Sequence, residues 1–395
     1  MSRLQRQQAD IVIVGAGMIG LSLAVLLAKQ KRRVVVVERH PQPGLSDELA
    51  LRVSALNARS QSILKHCDVW QAICEFRCGL YQGMQVWDKD SPARIEFGAQ
   101  DVDAENLGVI VENNVVEHFL WQRAEQLGVD IQQADDWQLL EAGDDSQRVE
   151  LQLAGTLLQA DLLVGADGGR SLVRQRNELP LTFWDYQQQG IVANIATELP
   201  HQGIARQVFL PTGPLALLPT ADSHTVSIVW SADQAFAETL LQEGSERLAQ
   251  RVAAESGRVL GTCRTVSEVK AFPLRMQYAR QWYQQRIVLV GDAAHTIHPL
   301  AGQGANLGFG DVQALVAQLE ASELKPLNRL HRRLAAYQRQ RKAETQVMIA
   351  AMEAFKRGFG SANPVLKGVR ALAFALPNRL SLLKRQLAHI AIGKA

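Results

Sequence analysis

Apolar positions near the start of the chain fall in short blocks separated by a helical stretch. Ile11-Val-Ile-Val14 stops at Gly15, helical spacing continues to Lys31, and Val34-Val-Val-Val37 is a second β-branched run. This order predicts strand, helix and parallel strand. From Ser54 to Cys78 the spacing is mostly helical, Gly83 to Phe97 reads as strand and turn, and Val109-Ile-Val111 ends a strand that feeds a helix reaching Leu127-Gly128. Leu162-Leu-Val164 and Ile287-Val-Leu-Val290 have the texture of strands buried on both faces.

Between Pro180 and Pro273 the pattern changes to short β-rich runs, at Ile191 to Ala196, Arg206 to Leu210, Leu215 to Leu218 and Thr225 to Trp230. These predict an antiparallel sheet inserted into the parallel one. A helix is expected from about Ala305 to Leu319, and Lys325 to Ala395 reads as mainly helical, with breaks at Gly358 to Pro364 and Pro377-Asn378. The fold class is therefore α/β: a Rossmann-like parallel sheet, an inserted mainly antiparallel β-sheet, and a C-terminal helical region.

Composition narrows the function mainly by exclusion. With 42 Lys and Arg against 40 Asp and Glu, the formal charge of +2 gives no overall bias towards nucleic acid. Cys67, Cys74, Cys78 and Cys263 lack the second Cys/His cluster that a four-ligand zinc site needs, so no metal is expected. Sparse, unpatterned cysteine suits a reducing cytoplasm. Met1 to Asp10 leads into the first strand without a leader's apolar run, and no stretch reaches the ~18 uncharged apolar residues of a membrane span.

The chemistry begins with Gly15-Ala-Gly-Met-Ile-Gly20, which follows a strand and opens a helix. That context marks a dinucleotide fingerprint: Gly15 for the tight turn, Gly17 for backbone approach to a pyrophosphate, Gly20 for helix-to-strand packing. Glu38, ending the second strand, is placed to bind an adenosine ribose. The fingerprint by itself does not separate FAD from NAD. Leu162-Leu-Val-Gly-Ala-Asp-Gly168 adds Asp167 at a strand's carboxyl end, although Asp-Gly is also a common turn. The run Gly291-Asp-Ala-Ala-His-Thr-Ile-His-Pro-Leu-Ala-Gly-Gln-Gly-Ala-Asn306 is more specific. Asp292 is suited to a ribityl hydroxyl, and Gly302 to Asn306 read as a loop entering a helix, whose N–H groups would stabilise charge on a reduced flavin. His295 and His298 have no ligand company and read as polar partners within the turn.

Together these segments resemble the flavoprotein aromatic hydroxylases related to p-hydroxybenzoate hydroxylase, across nearly the whole chain. Leu51-Arg-Val-Ser-Ala-Leu-Asn57, Val86-Trp-Asp-Lys-Asp-Ser91, Ile110-Val-Glu-Asn113, Leu181-Thr-Phe-Trp-Asp-Tyr-Gln187 and Asp292 to Asn306 resemble the ubiquinone-biosynthesis hydroxylases, most of all the 2-polyprenylphenol hydroxylase type. The resemblance implies that FAD is held by Gly15, Ala16, Gly17, Met18, Gly20, Glu38, Arg39, Arg52, Asn113, Asp167, Gly291, Asp292, Pro299, Gly302, Gly304, Ala305 and Asn306. Arg52 and Asn113 rest on the resemblance more than on independent logic. It further implies that the backbone of Pro299, Leu300, Gly302, Gln303 and Gly304 lies near the isoalloxazine, with no catalytic side chain identified. FAD-binding parts would be 1–75, 106–180 and 279–325, substrate-domain parts 76–105 and 181–278, and the helical region 326–395.

By the same likeness, NAD(P)H reduces FAD, oxygen adds to the reduced flavin, and its distal oxygen passes to an electron-rich phenol ring. No second Gly-rich βαβ unit is visible, so NAD(P)H is expected to visit transiently. The substrate implied is a polyprenylated phenol; the alternatives are the later benzoquinol hydroxylation of the same pathway and a non-catalytic FAD-binding assembly protein. A flavin halogenase would carry Trp-x-Trp-x-Ile-Pro, which does not occur. Phe183, Trp184, Phe209, Leu215, Leu217 and Trp230 of the inserted sheet are the candidate substrate wall, against the plainer reading of them as core. From Ala354 to Ala395 there is no Asp or Glu, but Lys356, Arg357, Lys367, Arg370, Arg379, Lys384, Arg385 and Lys394 are interspersed with apolar residues. This segment is expected to dock on an anionic membrane face or on a ubiquinone-pathway protein assembly, the alternative being a solvated basic face over packed helices.

Overall fold

The computed structural model describes residues 5–90, 94–141, 148–297, 303–320 and 324–359. The chain opens with β1 (Gln5–Val14), α1 (Met18–Lys29), β2 (Val34–Glu38), β3 (Val53–Leu56), α2 (Ala58–His66), α3 (Trp70–Phe76), β4 (Gly79–Tyr81), β5 (Gly83–Asp88) and β6 (Arg94–Gly98). Next come β7 (Gly108–Glu112), α4 (Asn113–Gln126), β8 (Asp130–Gln133), β9 (Gln138–Glu141), β10 (Val149–Leu153), β11 (Thr156–Gly165) and α5 (Leu172–Arg176). The inserted region holds β12 (Leu181–Thr197), β13 (Ile204–Leu210), β14 (Gly213–Pro219), β15 (Thr225–Asp233), α6 (Gln234–Glu255), β16 (Cys263–Thr265) and β17 (Lys270–Ala279). The chain then passes through β18 (Tyr283–Gln284), β19 (Ile287–Leu289), β20 (His295–Thr296), α7 (Gln303–Leu319) and α8 (Leu327–Phe359).

The β-branched runs read from the sequence form the centre of one sheet, in the order β18-β19-β11-β1-β2-β8, with β10 and β9 continuing antiparallel from β11. β19, β11, β1, β2 and β8 are parallel. Ile11 to Val14, Val34 to Val37 and Leu162 to Val164 are all buried, because α1, α4 and α7 help to cover a sheet with no solvent face. Register brings the strand ends level: Val14 lies beside Val37 and Gly165, and Gly165 beside Leu289. The chain leaves β1 for β2 on one side, and β11 pairs on the other. That reversal opens a crevice at the carboxyl ends, beside Gly15.

A second sheet runs β20-β17-β12-β15-β14-β13-β5-β6 and is antiparallel except for the parallel β13–β5 pair. Through that pair the Gly83 to Phe97 hairpin joins the inserted strands. α6, not foreseen from the sequence, covers one face of this sheet and is interrupted at Gly244, where φ is +86°. Its Ala237, Leu240, Leu248 and Val252 pack against Ile191, Ala193, Leu215, Leu217, Ile228 and Trp230. Strand period therefore sends Leu215, Leu217 and Trp230 into this core, on the face opposite the crevice. Trp184 joins a separate cluster with Tyr186, Leu274 and Met276, and Phe183 is 68% exposed. Of the six proposed wall residues, Phe209 has the crevice-side register of Ala205 and Gln207, and Trp184 packs with Leu274, which lines the cleft. The wall is formed instead by the alternate residues Gly190, Val192, Val229, Ala216 and Leu218.

Candidate active site

A cleft of about 560 Å³ lies between the two sheets. Gly17, Met18 and Ile19 line it together with Arg52, Asn113, Asp292, Gly304, Ala305 and Gly308, against Gly190, Val192 and Phe272 of the inserted sheet. The three fingerprint segments, distant in sequence, thus share one crevice.

Each glycine of the first segment has a separate steric duty. Gly15 sits at φ +108°, and a Cβ there would fall 2.4 Å from the Ala166 carbonyl oxygen. A Cβ on Gly20 would lie 2.0 Å from the Gly15 oxygen, so Gly20 sets the helix-to-turn contact. At Gly17 the nearest atom to such a Cβ is Glu117 Oε1 at 3.7 Å. The protein itself leaves this position open, which fits a residue kept small for a ligand's approach. Glu38 buttresses the turn: Oε2 accepts from Ala16 N–H at 2.6 Å, and Oε1 from Arg39 and His40 N–H at 2.8 and 3.0 Å. Three of its roughly four acceptor positions are taken, leaving one for a hydroxyl. The Arg39 side chain is exposed; its backbone is what meets Glu38.

Arg52 and Asn113 are joined through backbone and neighbour: Asn113 N–H donates to the Arg52 carbonyl at 3.0 Å, and Ser54 Oγ to Asn113 Oδ1 at 2.7 Å. Behind them Arg77 clasps Glu112 through Nε and Nη2, at 2.6 and 3.0 Å, and Glu112 Oε1 accepts from Ala50 N–H at 2.7 Å. This buried clamp fixes the start of α4. Asp167 Oδ2 caps α5, accepting from Leu172 and Val173 N–H at 2.6 and 3.1 Å, while its Oδ1 is buried with no partner among the described residues. Its neighbours Ala166 and Gly168 are the residues that line the cleft.

Asp292 is open to the cleft and enclosed by protein elsewhere. Loss of hydration raises its carboxyl above the usual range; His295 and Arg52 oppose the rise, and Asp311 adds to it. Gln303 is already the first residue of α7, so the stretch from Gln303 to Asn306 is helix, not loop. Gly304 and Ala305 face the cleft from its first turn, where N–H groups lack an i−4 carbonyl partner. Asn306 spends its side chain internally: Oδ1 accepts from Asn57 N–H at 3.0 Å and Ser60 Oγ at 2.7 Å, and Nδ2 donates to the Ala55 carbonyl at 2.8 Å. Pro299, Leu300, Gly302 and His298 lie outside the described residues.

Comparison with known proteins bears on what this cleft holds. A family model described as an FAD binding domain matches residues 8–351. Escherichia coli 3-demethoxyubiquinol 3-hydroxylase is 36% identical over 400 residues, covering 99% of this chain and 100% of that protein. This chain is an FAD-dependent hydroxylase of the ubiquinone-biosynthesis group. The rat mitochondrial ubiquinone biosynthesis monooxygenase COQ6 is 30% identical over 96% of this chain and 90% of its own length. In fold, the hydroxylase resembles the crystal structure of p-nitrophenol 4-monooxygenase PnpA from Pseudomonas putida DLL-E4, with a TM-score of 0.78, 19% identity and 98% of both chains covered.

The hydroxylase is thus a flavoprotein aromatic-ring monooxygenase, and its residues fit FAD: an open glycine at the helix start, a carboxylate with one acceptor left, and a second carboxylate facing the same cleft. Bound FAD, reduced by NAD(P)H, supplies the oxygen-activating chemistry. The protein's own task is to hold the extended cofactor and shield the ring-facing end from water.

A buried ionic cluster supports the Gly291–Asp292 turn and was missed in the sequence. Asp311 of α7, fully buried, accepts from Gly291 N–H at 2.9 Å, His295 Nε2 at 2.6 Å and Arg341 Nε at 2.7 Å. Arg341 also donates to the Leu307 carbonyl at 3.0 Å and to Glu344, which meets Arg59 at 3.2 Å. His295, read as a partner within its turn, is therefore a partner of α7. The sequence signal was slight: the one charged residue in a helical stretch, Phe309 to Leu319. Among the described residues, no group of three or more His, Cys, Asp or Glu side chains is arranged to hold a metal, and no helix is long and apolar enough to cross a membrane.

Proposed function

We propose that the hydroxylase adds oxygen to the ring of a polyprenylated phenol or quinol. The observation that carries this reading is a small cavity adjoining the start of α7. Gly304 and Ala305 face the cofactor cleft, while Asn306 lines the cavity with Ala55, Met84, Ala216, Leu218, Tyr81 and Gln207.

The lining suits an aromatic ring bearing oxygen. Ala55, Ala216 and Leu218 are apolar, while Tyr81 and the buried Gln207 bring a hydroxyl-bearing and an amide side chain to the lining. Burial pushes the Tyr81 hydroxyl up to about 12, so it stays a neutral donor at physiological pH. The cavity measures about 50 Å³, tighter than the ~150 Å³ void that accepts benzene. Ring entry therefore requires the lining to yield, and the flexible Met84 thioether is suited to that.

Similarity to the E. coli enzyme favours the later, demethoxyquinol ring, and the stretches quoted from the sequence favour the earlier polyprenylphenol. Incubating the flavin-loaded enzyme with NAD(P)H and each ring separately, with mass analysis, decides between them. One added oxygen on either ring supports the reading. NAD(P)H oxidation that leaves both rings unchanged overturns it.

A prenyl tail partitions into lipid, so access from a membrane face is part of the proposal. The basic C-terminal run is the docking segment proposed, each well-placed cation adding ~1 kcal/mol on anionic lipid; residues 360–395 lie outside the described part. Unchanged liposome binding after deletion of residues 365–395 would remove this element.

A further inference from the structure

Glu117 belongs to none of the fingerprint segments, yet it stands at the first of them. It projects from the second turn of α4, half-buried, with Oε1 3.7 Å from where a Cβ on Gly17 would sit. Its carboxyl interacts with the backbone N–H of Met18, the first residue of α1. Gly17, the N-cap, has no side chain to offer that helix start, and none caps it. Glu117 thus supplies from a neighbouring helix the negative charge that the α1 N-terminus attracts. A dinucleotide's diphosphate is drawn to the same group of amides.

Two anions at one helix start repel each other. The charged groups acting on Glu117 are Arg52, which favours its ionised form, and Glu38 at the end of β2, which disfavours it. We propose that Glu117 is a proton-accepting residue of the cofactor site: it holds the α1 amide as a carboxylate when FAD is absent, and takes a proton from solvent onto its carboxylate when the diphosphate arrives. Burial already pushes this carboxyl up to about 7, so the exchange falls within physiological pH. The phosphate charge of FAD raises it further. Affinity is then highest below pH 7 and falls as pH rises, by at most tenfold per pH unit for one proton. The inference rests on the cofactor being FAD and is independent of which ring is hydroxylated.

The test is FAD release from diluted holoprotein between pH 6 and 9, followed by recovery of flavin fluorescence. In the wild type the dissociation constant should rise several-fold to tenfold per unit above pH 7. Glu117→Gln, which keeps the shape and removes the titration, should bind with a visibly flatter profile and take up about one proton fewer when FAD rebinds in weak buffer. Parallel pH curves for the two proteins overturn the proposal. If the variant yields no holoprotein, an infrared difference spectrum of the wild type at pH 8 decides instead. A protonated-carboxyl band gained on FAD binding supports the assignment, and its absence refutes it.

Discussion

His295 Nε2 and Asp311 Oδ2 meet at 2.6 Å in the fully buried interior, joining the turn that carries Asp292 to the helix that begins beside the cleft. The same carboxylate accepts from the Gly291 amide and from Arg341, so one side chain ties the Gly291–Asp292 turn to α7 and α8.

Asp311→Ala would take from the buried Arg341 its buried carboxylate partner, leaving it Glu344 and the Leu307 carbonyl, and breaking a buried pair costs up to ~3–5 kcal/mol. A large fall in thermal midpoint is expected, with weakened flavin retention because the Gly291–Asp292 turn loses its anchor. The pairing holds the Asp311 carboxyl below the usual range, His295 and Arg341 together outweighing burial. Its contribution is therefore present at neutral pH and lost as pH falls through the depressed folded value. Thermal melts from pH 7 downwards should show the wild type losing stability in acid more steeply than the Ala variant.

Gly17 and Gly20 should separate folding from cofactor binding. A methyl on Gly20 meets the Gly15 carbonyl at 2.0 Å, whereas one on Gly17 meets nothing closer than 3.7 Å. Gly20→Ala should lower the melting temperature of the flavin-free protein. Gly17→Ala should leave that temperature nearly unchanged and weaken FAD binding, read as a loss of yellow colour on purification.

The two faces of the inserted sheet should respond differently. Trp230→Ala opens a void against α6 and should cost ~3–5 kcal/mol in urea unfolding. Trp230→Phe should be well tolerated, since the buried indole N–H has no partner among the described residues. Ala216→Phe, on the other face, should fill the small cavity and suppress substrate-stimulated NAD(P)H oxidation while the flavin spectrum stays intact.

Gln207→Leu tests the polar end of that cavity. If its amide meets a ring oxygen, the loss should raise KM roughly tenfold, the scale of a hydrogen bond worth ~1–1.5 kcal/mol. FAD affinity should not move. An unchanged KM for both candidate rings would remove Gln207 from the substrate site.

The sequence by itself determined the parallel core and the first cofactor turn, because both are local. β-Branched runs such as Ile11 to Val14 and Val34 to Val37 predict strands from neighbours in the chain, and the spacing of Gly15, Gly17 and Gly20 encodes a turn only a few residues long. Asp292 was legible for the same reason, as a carboxylate directly after a buried strand.

Tertiary structure decided what depends on register and packing between distant segments. The choice of Val229 over Trp230 for the cleft wall is a one-residue matter of strand pairing, which hydrophobicity cannot reveal when both faces of a sheet are covered. Asp167 turned to cap its own helix, and Asn306 turned to α2, because buried polar groups take the nearest partners the fold provides. Asp311, Arg341 and Glu117 became part of the site only when helices far apart in the chain came together, and no local pattern records such a meeting.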